Sequence, residues 1–144
     1  MTELPFPAGS GGPLILPWQG SAESLAEAAS GHLPMWWLRG SRMRTRRGLM
    51  DEWAAAAQFP PHFGGTWDAL RDALSDLPEG GTFLVLEADQ LLQEATPAEA
   101  LILFSVLRDV REDLAPRPFG LVLQAEPAQY ETLVEGLRAL GLDY

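Results

Sequence analysis

Residues 60–86, PPHFGGTWDALRDALSDLPEGGTFLVL, contain a loop, a helix, a turn and a strand in direct succession. The apolar residues after Thr66, a good helix cap, recur at the spacing of one buried helical stripe: Trp67, Leu70, Leu74 and Leu77. Residues 79–81 form a glycine turn, and the continuous apolar run 82–86 is typical of a strand covered on both faces. This stretch therefore predicts a helix that leads into a strand of a parallel sheet.

Two more apolar runs, residues 35–38 and 119–123, predict the other core strands. Helices are predicted between and after these strands, where threonine or proline precedes periodic apolar segments. Strands that alternate with helices indicate an α/β fold, with right-handed crossovers between parallel strands. We expect a three-stranded parallel sheet packed with helices.

The N-terminal part differs in composition, since residues 1–34 carry five prolines and five glycines. Residues 13–18 fit a short edge strand because prolines bracket them, and residues 21–30 fit an alanine-rich helix. We predict that residues 1–34 are an accessory extension, ordered in part by docking onto a domain of residues 35–144. That domain is expected to end in an extra helix over residues 127–140.

The formal net charge is −10, and all ten basic residues are arginine. Residues 35–60 hold five arginines and two acids, whereas residues 61–144 hold five arginines and fifteen acids. The second region should repel nucleic-acid phosphates and attract a basic partner, although solvation alone also explains many acidic surfaces.

The chain has no cysteine, which excludes disulfides and thiolate chemistry and fits a reducing cytosol. No apolar stretch approaches the roughly 18 residues of a membrane span, and the N-terminus lacks the pattern of a secretion signal. We therefore expect a cytoplasmic protein that is monomeric in isolation and has no membrane partner.

Catalytic and metal-binding motifs are missing from the sequence. The histidines, His32 and His62, have no metal-ligand spacing, the serines lack a nucleophile elbow, and no glycine loop matches a phosphate-binding motif. A solvent-facing or hydrogen-bonding role is the simplest one for His62 in its glycine–proline loop. No metal, cofactor or catalytic residue is predicted, and an enzyme is the least favoured class.

Asp68 and Asp72 stand on one helix face and, together with Asp76, lie nearly opposite the apolar stripe. Each like-charged pair costs the helix about 0.2–0.5 kcal/mol, which the positive helix N-terminus partly offsets for Asp68. An ordinary solvated face is the simplest explanation of the pattern alone, and a surface for a cationic partner is the alternative. Catalysis is disfavoured because an exposed face offers no desolvation to raise a carboxyl pKa.

An arginine cluster is the one feature that suggests contact with nucleic acid: Arg39, Arg42, Arg44, Arg46 and Arg47. The nearby Trp36, Trp37 and Trp53 fall on core-type positions, so stacking on bases is disfavoured. Pairing with the abundant acids is the preferred explanation, and no direct contact with nucleic acid is expected.

Residues 60–74 resemble the signature loop and helix of barstar-type ribonuclease inhibitors: proline, an aromatic pair, glycine, then Asp-Ala-Leu-x-Asp. From Leu38 to Leu74 the spacing is similar to that of barstar, without insertion or deletion. Residues 82–87 and 119–124 continue the likeness, which covers about residues 35–125. The resemblance implies a small three-stranded parallel sheet packed with helices, the same architecture that the apolar pattern indicates.

In barstar the loop and second helix plug the ribonuclease active site, and their carboxylates pair with the groups that hold the RNA phosphate. The complex of barnase and barstar is a general example of association that is accelerated by electrostatic steering and stabilised by charge pairs. The resemblance therefore implies that Asp72 is the principal anionic anchor and that Asp68 is its partner one turn earlier. The complete set of residues implied to bind the partner is His62, Phe63, Gly64, Asp68, Arg71, Asp72 and Asp109.

The remaining members of this set differ in how closely they follow the family. Gly64 is expected to make the close loop turn, and Asp109 falls roughly where barstar has a contacting glutamate. His62 stands where barstar has an interface tyrosine, and a histidine there would be expected to make the contact sensitive to pH. Arg71 replaces an aromatic residue and places a positive charge beside the anchor.

The function implied by the resemblance is intracellular inhibition of a basic ribonuclease, barnase-like or another toxin nuclease, as by an antitoxin or immunity protein. Its acidic helix would mimic RNA phosphates inside the active site. The alternative is a protein-interaction module of barstar fold whose partner is not a nuclease. A nuclease found on co-purification would favour inhibition, and a different partner would favour the module.

Overall fold

The computed structural model describes residues 13–31 and 35–142, so the predictions for residues 1–12 and for His32 lie outside the described residues. The strands are β1 (Ile15–Gln19), β2 (Met35–Arg39), β3 (Gly81–Leu86) and β4 (Phe119–Ala125). The helices are α1 (Ala22–Ala29), α2 (Arg46–Ala56), α3 (Trp67–Ser75), α4 (Pro97–Leu114) and α5 (Pro127–Ala139). Short 3-10 helices, Gly40–Arg42 and Ala88–Gln90, follow β2 and β3.

The sheet contains four parallel strands in the order β1-β4-β3-β2, so the prediction of three strands is wrong. The extra strand comes from the N-terminal segment, where Ile15 lies opposite Leu121 and Gln19 lies opposite Ala125. Pro17 is tolerated in β1 because one side of an edge strand needs no N–H donor. The division into residues 1–34 and 35–144 stays a prediction.

Gln124, a polar residue of β4 that is 1% exposed, joins the ends of three strands. Its amide nitrogen donates to the carbonyl of Gly20 at 2.7 Å, and its amide oxygen accepts from the N–H of Glu87 at 2.9 Å. The N–H of Gly20 donates in turn to the carbonyl of Ala125 at 3.0 Å. Because both polar atoms of the buried amide have partners, its burial is tolerated.

Threonine caps begin three of the helices where the sequence predicts them. The hydroxyl oxygens of Thr45, Thr66 and Thr96 each accept a hydrogen bond from the backbone N–H three residues later, at 3.1, 3.0 and 3.3 Å. Each cap satisfies one of the N–H groups that a helix start leaves unpaired. The cap at Thr66 fixes the first residue of α3 and so the position of the acidic helix.

The larger core lies on the face of the sheet that α2, α3, α4 and α5 cover. Phe83 is central to it, with ring centroids 5.2 Å from Trp53 and 4.9 Å from Trp36. Trp37 is 42% exposed, so its predicted core position is wrong. Successive side chains of a strand point to opposite faces, and β2 is an edge strand, so Trp37 points away from this core.

Helix α1 covers the opposite face of the sheet. Its Leu25, Ala28 and Ala29 pack against Leu84 of β3 and Val122 of β4. Small alanine side chains let the helix approach the sheet closely. Helices α1 and α3 therefore lie on opposite sides of the sheet.

Candidate functional site

Helix α3 has a buried side and an acidic side. Leu70 and Leu74 are both 0% exposed and anchor the helix in the larger core. Since each helical residue turns the chain by about 100°, Asp68, Asp72 and the capping residue Asp76 lie on the other side. The stripe predicted from the sequence thus directs three carboxylates away from the core.

Asp68 and Asp72 are both exposed to solvent. Among the described residues, neither carboxylate forms an ion pair or a side-chain hydrogen bond. Within residues 13–31 and 35–142, no other segment covers these two carboxylates and no arginine forms an ion pair with either of them. In the described part of the chain, both negative charges therefore face solvent.

The loop before α3 is held by contacts of its own. Phe63 is half-buried and packs against Phe59 with ring centroids 4.9 Å apart, and its N–H donates to the carbonyl of Pro60 at 2.9 Å. The left-handed turn falls on Gly65, with φ of 67°, and not on Gly64, to which the resemblance assigned the close turn. A Cβ at Gly64 would meet only the Cβ of Ala69, at an ordinary 3.8 Å.

A cleft of about 230 Å³ lies between this loop and α3. It is lined by Pro60, His62, Phe63, Gly64, Ala69, Asp72, Ala73 and Asp76. Four of the predicted site residues therefore meet in one place, whereas Asp68, Arg71 and Asp109 do not line the cleft. Asp76 belongs to this site although the resemblance did not assign it a role.

Arg71 points from α3 towards α4. Its Nε and Nη2 donate to the two carboxylate oxygens of Asp113 at 3.1 and 3.3 Å, and its Nη1 lies 3.5 Å from Oδ2 of Asp109. The Ser75 hydroxyl donates to the same Asp113 carboxylate at 2.9 Å. The guanidinium of Arg71, which was predicted to stand beside the anionic anchor Asp72, therefore binds carboxylates of α4.

Sequence reasoning missed Asp113 and Ser75. The four-residue spacing of Arg71 and Ser75 indicates a shared helix face, but only the packing of α3 on α4 brings Asp113 to it. The hydrogen bond to Asp113 raises the pKa of Arg71 above its ordinary value. The hydrogen bonds from Arg71 and Ser75 lower the pKa of Asp113.

The arginine cluster near α2 is largely paired. Arg44 lies 2.9 Å from Glu94, Arg46 lies 3.8 Å from Glu99, and Arg42 lies 4.0 Å from a carboxylate oxygen of Glu52. These pairs agree with the preferred explanation of the cluster. Within residues 13–31 and 35–142, no group of three or more acidic or histidine side chains could hold a metal ion.

None of the described helices has the length and apolar character that a membrane crossing requires.

Comparisons with known proteins bear on this surface. The family model described as Barstar (barnase inhibitor) matches residues 34–126, which is more than half of the chain. No curated protein is similar enough to the chain to count as a match. The matched range contains the loop, α3, α4 and three strands, and it leaves out β1, α1 and α5.

Proposed function

The chain belongs to the barstar family, and from this premise we propose that it is an intracellular inhibitor of a ribonuclease. Members of this family are inhibitors rather than enzymes. The inhibitor would insert the loop and α3 into the active site. Asp68 and Asp72 would then occupy the positions of two phosphates of the RNA substrate.

One observation carries the proposal: Asp68 and Asp72 are exposed and without ion-pair partners among the described residues, on a helix whose other side is anchored in the core. Unpaired like charges on one helix face repel each other, so this arrangement lowers the stability of the free protein. In a cationic cleft of the partner, the two carboxylates would receive charge-assisted hydrogen bonds. Binding would therefore relieve the repulsion between them.

The remaining members of the proposed contact set surround these two carboxylates. His62, Phe63 and Gly64 line the cleft next to Asp72, where a side chain of the partner would enter. Arg71 and Asp109 lie on the side towards α4, with side chains that are 44% and 42% exposed. The surface combines a shaped cleft with a negative field, which favours rapid capture of a basic enzyme.

The test uses the full chain as bait in extracts of the cell that produces it, followed by identification of the bound protein. The proposal predicts a basic ribonuclease whose RNA cleavage the chain inhibits. Asp72→Asn should weaken this inhibition strongly. Glu27→Gln, a charge removal on the opposite side of the sheet, should leave it unchanged.

A different result would support the alternative of an interaction module. Residues 13–31, which lie outside the matched range, add β1 and α1 to the fold and give it surfaces of its own. A bound protein without nuclease activity would favour this alternative. Inhibition that persists in Asp72→Asn would contradict the proposed mechanism even if a ribonuclease is bound.

A further inference from the structure

One member of the proposed contact set, Arg71, carries a positive charge at the edge of the acidic face that is directed towards α4. Arg71 lies between Asp68 and Asp72 of its own helix and Asp109 and Asp113 of α4. We propose that Asp113 and Ser75 are positioning residues that hold Arg71 on α4, so that it does not neutralise the acidic face of α3. The inference rests on the proposed function, because it concerns the availability of that face to a partner.

The contacts of Arg71 are directional as well as electrostatic. Two of its N–H groups meet the two oxygens of Asp113 at 3.1 and 3.3 Å, the parallel geometry in which guanidinium and carboxylate pair best. Ser75 donates to Oδ2 of the same carboxylate at 2.9 Å, which fixes its orientation. The ion pair to Asp109 at 3.5 Å adds a second anchor on α4.

Without these contacts Arg71 would have another partner within reach on α3. Asp68 precedes it by three residues, and an acid at this distance before a base is a standard stabilising pair on a helix surface. Adjacent residues do not face each other on a helix, so Asp72 is the less suitable partner. The field of Asp72 nevertheless already acts on Arg71. Released from α4, the guanidinium would therefore turn towards Asp68.

The arrangement has a consequence for recognition. A guanidinium over Asp68 would cancel one of the two charges that the proposed mechanism needs, and it would narrow the approach to the helix. With Arg71 held on α4, the two carboxylates remain open. Asp113 thus keeps Asp68 and Asp72 accessible by holding Arg71 on α4, and it needs no contact with the partner for this role.

The experiment is nuclear Overhauser spectroscopy of the free protein, with Asp113→Ala and the double variant Asp109→Ala/Asp113→Ala. In the parent protein, contacts of the Arg71 Hε and Hδ protons should connect it to Ser75 and α4. In the double variant the Arg71 protons should instead show contacts to the β protons of Asp68. The conformation in which Arg71 pairs with Asp68 should be about twice as populated as the unpaired one. Asp113→Ala should give an intermediate pattern, because Asp109 remains.

Two comparisons make the result specific. Asp113→Glu keeps a carboxylate and should restore the contacts to α4. Glu94→Ala removes the partner of Arg44, an arginine pair elsewhere on the surface, and should leave the contacts of Arg71 unchanged. The inference is overturned if Arg71 never contacts Asp68 in the double variant, or if Asp113→Glu does not restore the parent pattern. No partner takes part, so this result is independent of whether a ribonuclease is found.

Discussion

Replacing Asp72 by asparagine should stabilise the free protein while it weakens binding to the partner. Asp72 has a like charge one turn before it, at Asp68, and another one turn after it, at Asp76. Each such pair costs about 0.2–0.5 kcal/mol, so loss of the central charge should raise the free energy of unfolding by about 0.4–1 kcal/mol. The carboxylate has no described ion pair or hydrogen bond to lose, so the gain of about 0.4–1 kcal/mol is reduced only by the lost attraction between Asp72 and Arg71.

The gain can be measured by urea unfolding at low ionic strength. It should largely disappear in 1 M salt, where the screening length falls to roughly 3 Å. Asp68→Asn is the matched variant, since it relieves only one repulsion and gives up a favourable charge at the helix N-terminus, worth about 0.3–1 kcal/mol. We expect no net gain from it.

The effect on binding should have the opposite sign. Removal of one member of a desolvated charge pair costs about 2–5 kcal/mol, which is roughly a 30- to 5000-fold weaker complex. Titration calorimetry or inhibition of RNA cleavage would measure it against the captured ribonuclease. If Asp72→Asn destabilises the free protein at low salt, the carboxylate takes part in an internal contact and the reasoning fails.

Four further predictions concern the support of this surface. Leu74→Ala, in the core, should lower the free energy of unfolding by about 2–5 kcal/mol in urea, and a loss below 1 kcal/mol would contradict its role as an anchor. Thr66→Ala removes the cap of α3 and should cost about 1 kcal/mol by the same assay, whereas Thr66→Ser should keep most of it. Asp76→Asn should weaken binding less than Asp72→Asn and mainly slow association. If its affinity and rate constants equal those of the parent protein, Asp76 takes no part in binding. Because hydrogen bonds lower the pKa of Asp113 in the folded state, its contribution to stability is complete above its ordinary value of 3.8 and is lost as the pH falls through the lowered value. Asp113→Asn should therefore flatten the decrease in urea midpoint between pH 5 and pH 2, and an unchanged slope would argue against the pair with Arg71.

Much of the fold follows from local pattern. The stripe of α3, the cap at Thr66 and the apolar run of β3 are each encoded within a few residues, so the sequence predicts them well. The acidic face could be predicted for the same reason, since Asp68, Asp72 and their spacing are local. Their exposure was predicted from the same pattern, but only the packing of the helices shows that no other described element covers this face.

The failures concern long-range contacts. Only pairing with β4 shows that residues 15–19 belong to the same sheet as the core strands. The alternation within β2 allowed either Trp36 or Trp37 to face the core, and the edge position of the strand left the second one exposed. The partner of Arg71 lies 42 residues further along the chain, beyond the reach of any spacing rule.

The hydrogen bond from Gln124 to Gly20 joins two residues that lie 104 positions apart in the sequence. On the ribosome β1 is made first among the described strands, and β4, with which it pairs, is made last among them. The β1 segment therefore cannot form its described strand pairing until β4 has been synthesised. Contacts between residues so far apart in the sequence slow folding. A chain truncated before residue 119 should lack the strand with which β1 pairs.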